Sequence, residues 1–193
     1  RHNLLRHLNF KQSDRILELG CGCGAITRQL GETLATVTSV EGSVRRAKCA
    51  ALRCRDLENV SIYVSNFQNV KFEQEFDYVT LIGVLEYSSI FFNSDHPFEE
   101  CLKIAKSALK HEGKLIIAIE NKLGLKYFNG LDEDHEGKAY FGISSLYNSS
   151  TASTFGRKEI SDLLLKSGFK HSEFQYPFPD YKMPSLVLKD KTI

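Results

Sequence analysis

The sequence predicts an α/β fold: a mostly parallel, seven-stranded sheet with helices on both faces and an antiparallel last strand. Three observations predict it. Short β-rich runs alternate with amphipathic stretches through the first half of the chain, the pattern of strands laid side by side with helices between them. Those runs are apolar on both faces, as strands covered on both sides must be. Three alternating glycines follow the first run at once, where a strand must turn sharply into a helix.

The elements follow in order. Arg15–Leu19 is the first strand and residues 25–30 the helix behind its glycines. Residues 36–40 form a second strand, 44–54 a helix, Val60–Val64 a third strand and 76–83 a fourth. Residues 97–109 carry an apolar stripe at Phe98, Leu102, Ile104, Ala105 and Leu109, and Pro97 suits the first turn of that helix. His111-Glu112-Gly113 is expected to end it before a fifth strand at 114–119. Crossovers between such parallel strands are right-handed. Residues 121–156 have weak periodicity but six aromatics; an insert of that length is usually functional or disordered, and its aromatics argue against disorder. A helix at 157–167 closes on Gly168, a C′ glycine. Strands at 170–176 and 185–189, joined through Pro177–Pro184, are expected as an antiparallel pair on the sheet edge, and a helix at 1–8 leads in. Residues 1–193 thus read as one domain with an insert at 121–156.

Composition narrows the class. Twenty-five Lys+Arg against 24 Asp+Glu leave a formal charge of +1, which gives no field to draw the chain onto a polyanion, so nucleic acid is not an expected partner. No apolar run approaches the roughly 20 residues of a membrane span. Cys21, Cys23, Cys49, Cys54 and Cys101 are an odd set without zinc-type spacing, so they read as reduced thiols of a cytoplasmic protein, packed as small hydrophobes. Cys21 and Cys23 have no matching His/Cys pair, and the acidic run at 132–136 reads as solvated; no metal site is expected. The chain opens on Arg1 rather than Met, which reads as a piece excised from a longer protein.

The informative stretch is Glu18-Leu19-Gly20-Cys21-Gly22-Cys23-Gly24. Its glycines leave no side chain between the backbone and a ligand at the helix N-terminus. Glu41 follows Gly20 by 21 residues, just past the second strand, where a carboxylate accepts from the two hydroxyls of an adenosine ribose. Gly20-x-Gly22-x-x-Ala25 also satisfies the relaxed dinucleotide fingerprint, which keeps NAD as a possible cofactor. Glu18, two residues before Gly20, tips the balance.

With Glu18 the segment matches E-x-G-x-G-x-G at every fixed position, and the chain resembles the class I S-adenosylmethionine-dependent methyltransferases. The resemblance implies a Rossmann-like fold and S-adenosylmethionine as cofactor, with S-adenosylhomocysteine as product. It implies a cofactor set of Glu18, Gly20, Cys21, Gly22, Gly24, Glu41, Gly42, Ser43, Asn66, Phe67, Gly83 and Val84. Glu18 lies near the methionine amino end in that family. Asn66 stands where the family often has an acid that accepts from the adenine amino group; its amide oxygen still accepts. Glu86-Tyr87 stands where many members have Glu-His or His-His, and no Asn/Asp-Pro-Pro-Tyr/Phe motif is present, which argues against DNA adenine methylation. Asp77 at the start of the fourth strand reads as structural.

Methyl transfer from a sulfonium is a direct displacement, so the protein chiefly aligns the reactants. An acceptor hydroxyl must also lose a proton, which a nearby base aids by roughly 10²–10⁴-fold. The segments expected at the acceptor offer Glu86, Tyr87, His96, Glu120, Asn121, Asp134, His135, Asp180 and Tyr181. Of these we take His135, Glu86 and Tyr181 as catalytic residues, with His135 the leading base; His2, His7, His111 and His171 read as surface or capping residues. Residues 119–130 and 176–182 resemble a bacterial subgroup that accompanies, or is fused to, glycosyltransferases of surface-polysaccharide assembly. That implies a small-molecule or saccharide acceptor and a glycosyltransferase partner or fused domain. The alternatives are a non-catalytic module docking such a glycosyltransferase and an NAD-dependent oxidoreductase.

Overall fold

The computed structural model describes residues 2–190. Arg1, on which the predicted lead-in helix begins, lies outside the described residues. The chain divides into two compact units: one built from residues up to 82, 104–117 and those from 173 onward, the other from 83–103 and 118–172.

The first unit carries the sheet. After a short helix α1 (His2–Leu5) come β1 (Arg15–Leu19), α2 (Ala25–Gly31), β2 (Thr36–Glu41), α3 (Val44–Arg53), β3 (Val60–Val64) and β4 (Phe76–Ile82). Helix α5 (Pro97–Ala108) leads into β5 (Leu109–Ala118). The strand order is β3-β2-β1-β4-β5, with β1 parallel to β2 and β4, and β2 parallel to β3. The chain therefore steps outward from β1 to β3 and then returns to β1's other side. That reversal opens a crevice beyond the carboxyl ends of the strands, the usual ligand position in such sheets. Ile16, Leu17, Leu19, Leu30, Val37, Val79 and Leu81 are almost fully buried; their contiguity accounts for the continuously apolar strands.

Polar side chains fix the connections. Asn59 Nδ2 donates to Gly31 O at 2.9 Å and Ala35 O at 2.7 Å, tying the turn before β3 to the end of α2. Arg28 reaches from α2 to Arg53 O at 3.1 Å and to Asp56. Asp77 accepts from the Arg15 N–H at 2.8 Å and from Lys110 Nζ at 2.8 Å, so it joins three strands, in line with its structural reading.

The expected seven-stranded sheet is corrected to five. Among the described residues, β6 (Gln175–Phe178) and β7 (Leu186–Lys189) pair antiparallel only with each other, as a separate two-stranded sheet. Neither strand has a fully buried residue, and Pro177 lacks the N–H that a ladder needs. The pair is also displaced from the predicted 170–176 and 185–189. β5 begins at Leu109 rather than 114: the Glu75 N–H donates to Ala108 O at 3.2 Å, so pairing starts as α5 ends. The lead-in helix stops at Leu5 instead of residue 8.

The second unit holds the turn Leu85–Tyr87, α4 (Ser88–Phe91), the start of α5, α6 (Leu125–Phe128) and α7 (Arg157–Lys166). Its aromatics supply a core of its own: Phe98 meets Phe155 edge-on at 5.0 Å, and Phe141 meets Tyr147 at 5.5 Å. Buried Lys122 donates to Glu159 Oε1 at 2.6 Å and to Ser145 Oγ at 3.0 Å. Glu159 Oε2 in turn accepts from the Gly156 N–H at 2.7 Å at the start of α7. Gly168, at φ 89°, ends α7 as predicted.

Two loop glycines divide the demands of the glycine turn. Gly24 has φ +78°, and an added Cβ would stand 2.7 Å from Ala50 Cα. Gly22 has φ +54° with open space around it. Gly24→Ala is therefore expected to lose roughly 2–4 kcal/mol of unfolding free energy, combining left-handed strain with overpacking. Gly22→Ala should lose only about 1–2 kcal/mol. Chemical denaturation of both variants checks the difference; equal losses would contradict the close approach of α3 to the turn.

Candidate active site

The glycine turn is held by two carboxylates. Glu18, on β1 and only 3% exposed, accepts at Oε2 from Thr27 Oγ1 at 2.6 Å and Ser39 Oγ at 2.8 Å. One oxygen thus links β1, α2 and β2. Burial is the main cause that raises the Glu18 carboxyl to about 6; the two hydroxyl donors oppose the rise, and the negative charge of Glu41 adds to it. Thr27 and Ser39 are functional neighbours the sequence reading missed. Their signal was present: hydroxyls on otherwise apolar buried positions require a partner.

Glu41, at the end of β2 and 2% exposed, accepts at Oε2 from the Gly22 N–H at 2.8 Å. Its Oε1 accepts from the Ser43 N–H at 2.9 Å and from Arg46 Nε at 2.9 Å. The carboxylate therefore anchors the turn after β1 to the turn after β2. The Gly20 N–H donates to Val40 O at 2.8 Å and the Ser65 N–H to Glu41 O at 3.1 Å, bringing the end of β3 beside them. Gly20, Cys21, Gly22, Gly24, Glu41, Gly42 and Ser43 form one constellation at the strand ends. Asn66 and Phe67 follow β3, where Asn66 Oδ1 caps a short turn by accepting from the Gln68 N–H at 3.2 Å.

The residues present suit a nucleoside. A Cβ added at Gly22 or Gly42 would meet nothing within 4 Å, so backbone is open on both sides of Glu41. Arg46, the one side chain on that carboxylate among the described residues, is 55% exposed, so it can swing away and leave the Glu41 lone pairs to a diol. Cys21 is buried, and its thiol is pushed up to about 12, first by burial and then by Glu18 and Glu41. Cys54 and Cys101 are also buried, but Cys23 and Cys49 are exposed, which corrects the expectation that the whole set packs inside.

The second unit gathers a different group. Gly83 (φ +67°) and Val84 open it, and Glu86 lies in the turn that follows. Glu86 is 1% exposed and Glu120, just beyond β5, 5%. The His135 side chain is 10% exposed, with Nε2 3.9 Å from Glu86 Oε1. Tyr87 packs edge-on against the His135 ring at 5.5 Å. His135 Nδ1 lies 3.0 Å from Glu133 Oε1. The His135 and Glu136 N–H groups both donate to Glu133 Oε2 at 2.8 Å. Glu133 is 2% exposed, so this one carboxylate of the acidic run turns inward, whereas Asp132 and Asp134 stand at exposed positions. Asp134 accepts from Lys126 Nζ and Tyr127 Oη, each at 2.5 Å. Burial, aided by Asp134, Glu120 and Glu133, raises the Tyr127 phenol.

The other acceptor-side residues fall elsewhere. Tyr181 and Asp180 belong to the β6–β7 connection in the first unit. Asn121 caps its own turn, accepting from the Leu123 N–H at 3.0 Å. His96 is exposed, beside Glu99, and His7, His111 and His171 are exposed as expected; the His2 side chain lies outside the description.

The chain matches the family described as "Methyltransferase domain" over residues 10–146 and belongs to it. It is an enzyme of the S-adenosylmethionine-dependent methyltransferase class. No curated protein sequence matches it significantly. Solved structures share the fold. A SAM-dependent methyltransferase from Methanosarcina mazei has a TM-score of 0.67 and 19% identity, covering 95% of this chain and 92% of that one. Phosphoethanolamine N-methyltransferase 2 from Haemonchus contortus, solved with phosphomonomethylethanolamine and S-adenosylhomocysteine, has a TM-score of 0.65 and 20% identity. That match covers 91% of this chain but 37% of the relative. The [4+2]-cyclase SpnF has a TM-score of 0.62 and 15% identity, covering 90% and 58%.

The raised Glu18 carboxyl sets a pH dependence. Its folded-state value of about 6 exceeds the ordinary 4.5, so the folded state binds more protons between these values. Stability from this group is therefore full below about 4.5 and is lost as pH rises through about 6, by ~2 kcal/mol. Denaturation of wild type and Glu18→Gln from pH 4 to 7 should show the variant gaining about that much on wild type as pH rises. A difference constant across this range would contradict the assignment.

Proposed function

We propose that this chain methylates a hydroxyl of a small-molecule or saccharide acceptor in the cytoplasm, within bacterial cell-surface glycan metabolism. The observation that carries the cofactor half is the Gly22–Glu41 link, which sets a buried carboxylate beside open glycine backbone. Bound there, S-adenosylmethionine supplies a methyl group already activated as a sulfonium. Glu41 would receive the ribose hydroxyls as Arg46 yields, Gly22 and Gly42 would give the backbone room, and Asn66 with Phe67 would hold the adenine. Glu18 keeps β1, α2 and β2 in register under the turn.

On the acceptor side, proton handling belongs to the buried Glu86–Glu120–His135 group. A cavity of about 580 Å³ in the second unit supports a ring-shaped, hydroxylated acceptor. Its lining includes Phe91, Phe98 and Tyr147 together with Asn93, Asn148 and Ser153, a mix of flat apolar faces and hydrogen-bonding groups. The Ser153 N–H donates to Glu86 O at 2.8 Å, so the cavity wall is joined to that group. Residues 119–130 and 176–182 favour a glycosyltransferase as partner or fused neighbour.

Calorimetry with S-adenosylhomocysteine tests the cofactor half. Wild type should bind, and Glu41→Gln should bind about 10–100-fold more weakly, from the loss of charged hydrogen bonds. No binding to wild type would sink the reading. His135→Gln should keep that affinity while methyl transfer to sugar-nucleotide or glycan-precursor pools, followed by mass spectrometry, falls by roughly 10²–10⁴-fold.

A further inference from the structure

We propose that Glu86, Glu120 and His135 bind one first-row divalent cation. The three residues offer two carboxylate oxygens and one imidazole nitrogen, all within 4.8 Å of one another. Ligands held at about 2.0–2.2 Å from one ion stand roughly 3–4.2 Å apart, so closure by at most about 2 Å forms the site. All three residues are at least nine-tenths buried. Glu86 and Glu120 set two carboxyl groups beside the imidazole in an environment where charge is costly to bury. The buried Glu133 carboxylate adds a third nearby. A doubly charged cation offsets that cost directly.

The second observation concerns the imidazole. Glu133 holds His135 Nδ1 at 3.0 Å and is itself fixed by the His135 and Glu136 N–H groups. This is the carboxylate–histidine arrangement that orients metal ligands and sets their tautomer. It presents the other ring nitrogen, Nε2, toward Glu86 at 3.9 Å, beyond hydrogen-bond reach yet suited to an intervening ion. Mixed carboxylate and imidazole donors favour Mn²⁺ or Zn²⁺ over the all-oxygen preferences of Mg²⁺ and Ca²⁺. Three protein ligands leave positions open, and a hydroxyl oxygen placed there becomes more acidic. That last role rests on the O-methylation reading; ion binding does not.

The test strips the full chain with a chelator, desalts it and titrates it with MnCl₂, following free Mn²⁺ by electron paramagnetic resonance. Wild type should take up one Mn²⁺ per chain. Glu120→Gln and His135→Gln should weaken uptake at least about tenfold, and Glu133→Gln by roughly 10–100-fold, while Glu112→Gln, at an exposed position, leaves it unchanged. No stoichiometric uptake by wild type, or undiminished uptake in Glu120→Gln and His135→Gln, overturns the proposal. Spin-echo modulation of Mn²⁺ bound to wild type decides even if a variant fails to fold: a directly coordinated imidazole nitrogen supports the site, and its absence overturns it. S-adenosylhomocysteine calorimetry on the same preparation separates the two readings. Lost cofactor binding counts against the methyl-transfer reading alone, and lost Mn²⁺ binding against the cation site alone.

Discussion

The first unit is organised around one oxygen atom, Glu18 Oε2. It receives a hydroxyl from α2 and another from β2 while its own backbone lies in β1. Those are the three elements whose ends shape the glycine turn. A carboxylate buried this far is costly; the two donors offset part of that cost and limit where the elements can move. Glu41 repeats the device one strand over with backbone N–H groups as donors. The acids therefore act first as fasteners, and the open backbone at Gly22 and Gly42 is a consequence of how tightly their surroundings are tied.

Much of this was legible because the constraints are local. β1 to β4 and their helices emerge from runs whose apolar residues are buried together and whose ends carry turn residues. Glu18, the glycines and Glu41 lie at fixed offsets from those runs, so their convergence follows from the topology. The terminal hairpin was not legible in the same way. An antiparallel run looks alike whether it extends a sheet or stands alone, and Pro177 with the exposed flanks decides it. The Glu133–His135 pair was harder still. It depends on a loop closed by the Asp132–Ala139 bridge and by the Glu133 N–H on Lys138 O, contacts with no periodic signature. An acidic, polar run ordinarily signals solvent, and here a few backbone bonds turn one of its carboxylates inward.

The division of the chain also separates what is general from what is particular. The sheet and glycine turn belong to one unit, and the Glu86–Glu120–His135 group to the other. Structures of similar fold include an N-methyltransferase and a [4+2]-cyclase, so the fold alone does not select a reaction. Selection must come from side chains such as those of the second unit, where burial and charge are arranged without reference to strand order.

The thiol at the centre of the glycine turn has a chemical consequence of its own. A sulfonium cofactor is an alkylating agent, and a thiolate is the most nucleophilic side chain a protein can offer it. Cys21 is kept in its protonated form far into alkaline conditions by burial and by the two acids that fasten the turn. Burial first, and the two acids that fasten the turn second, thus keep this sulfur in its neutral, weakly nucleophilic form.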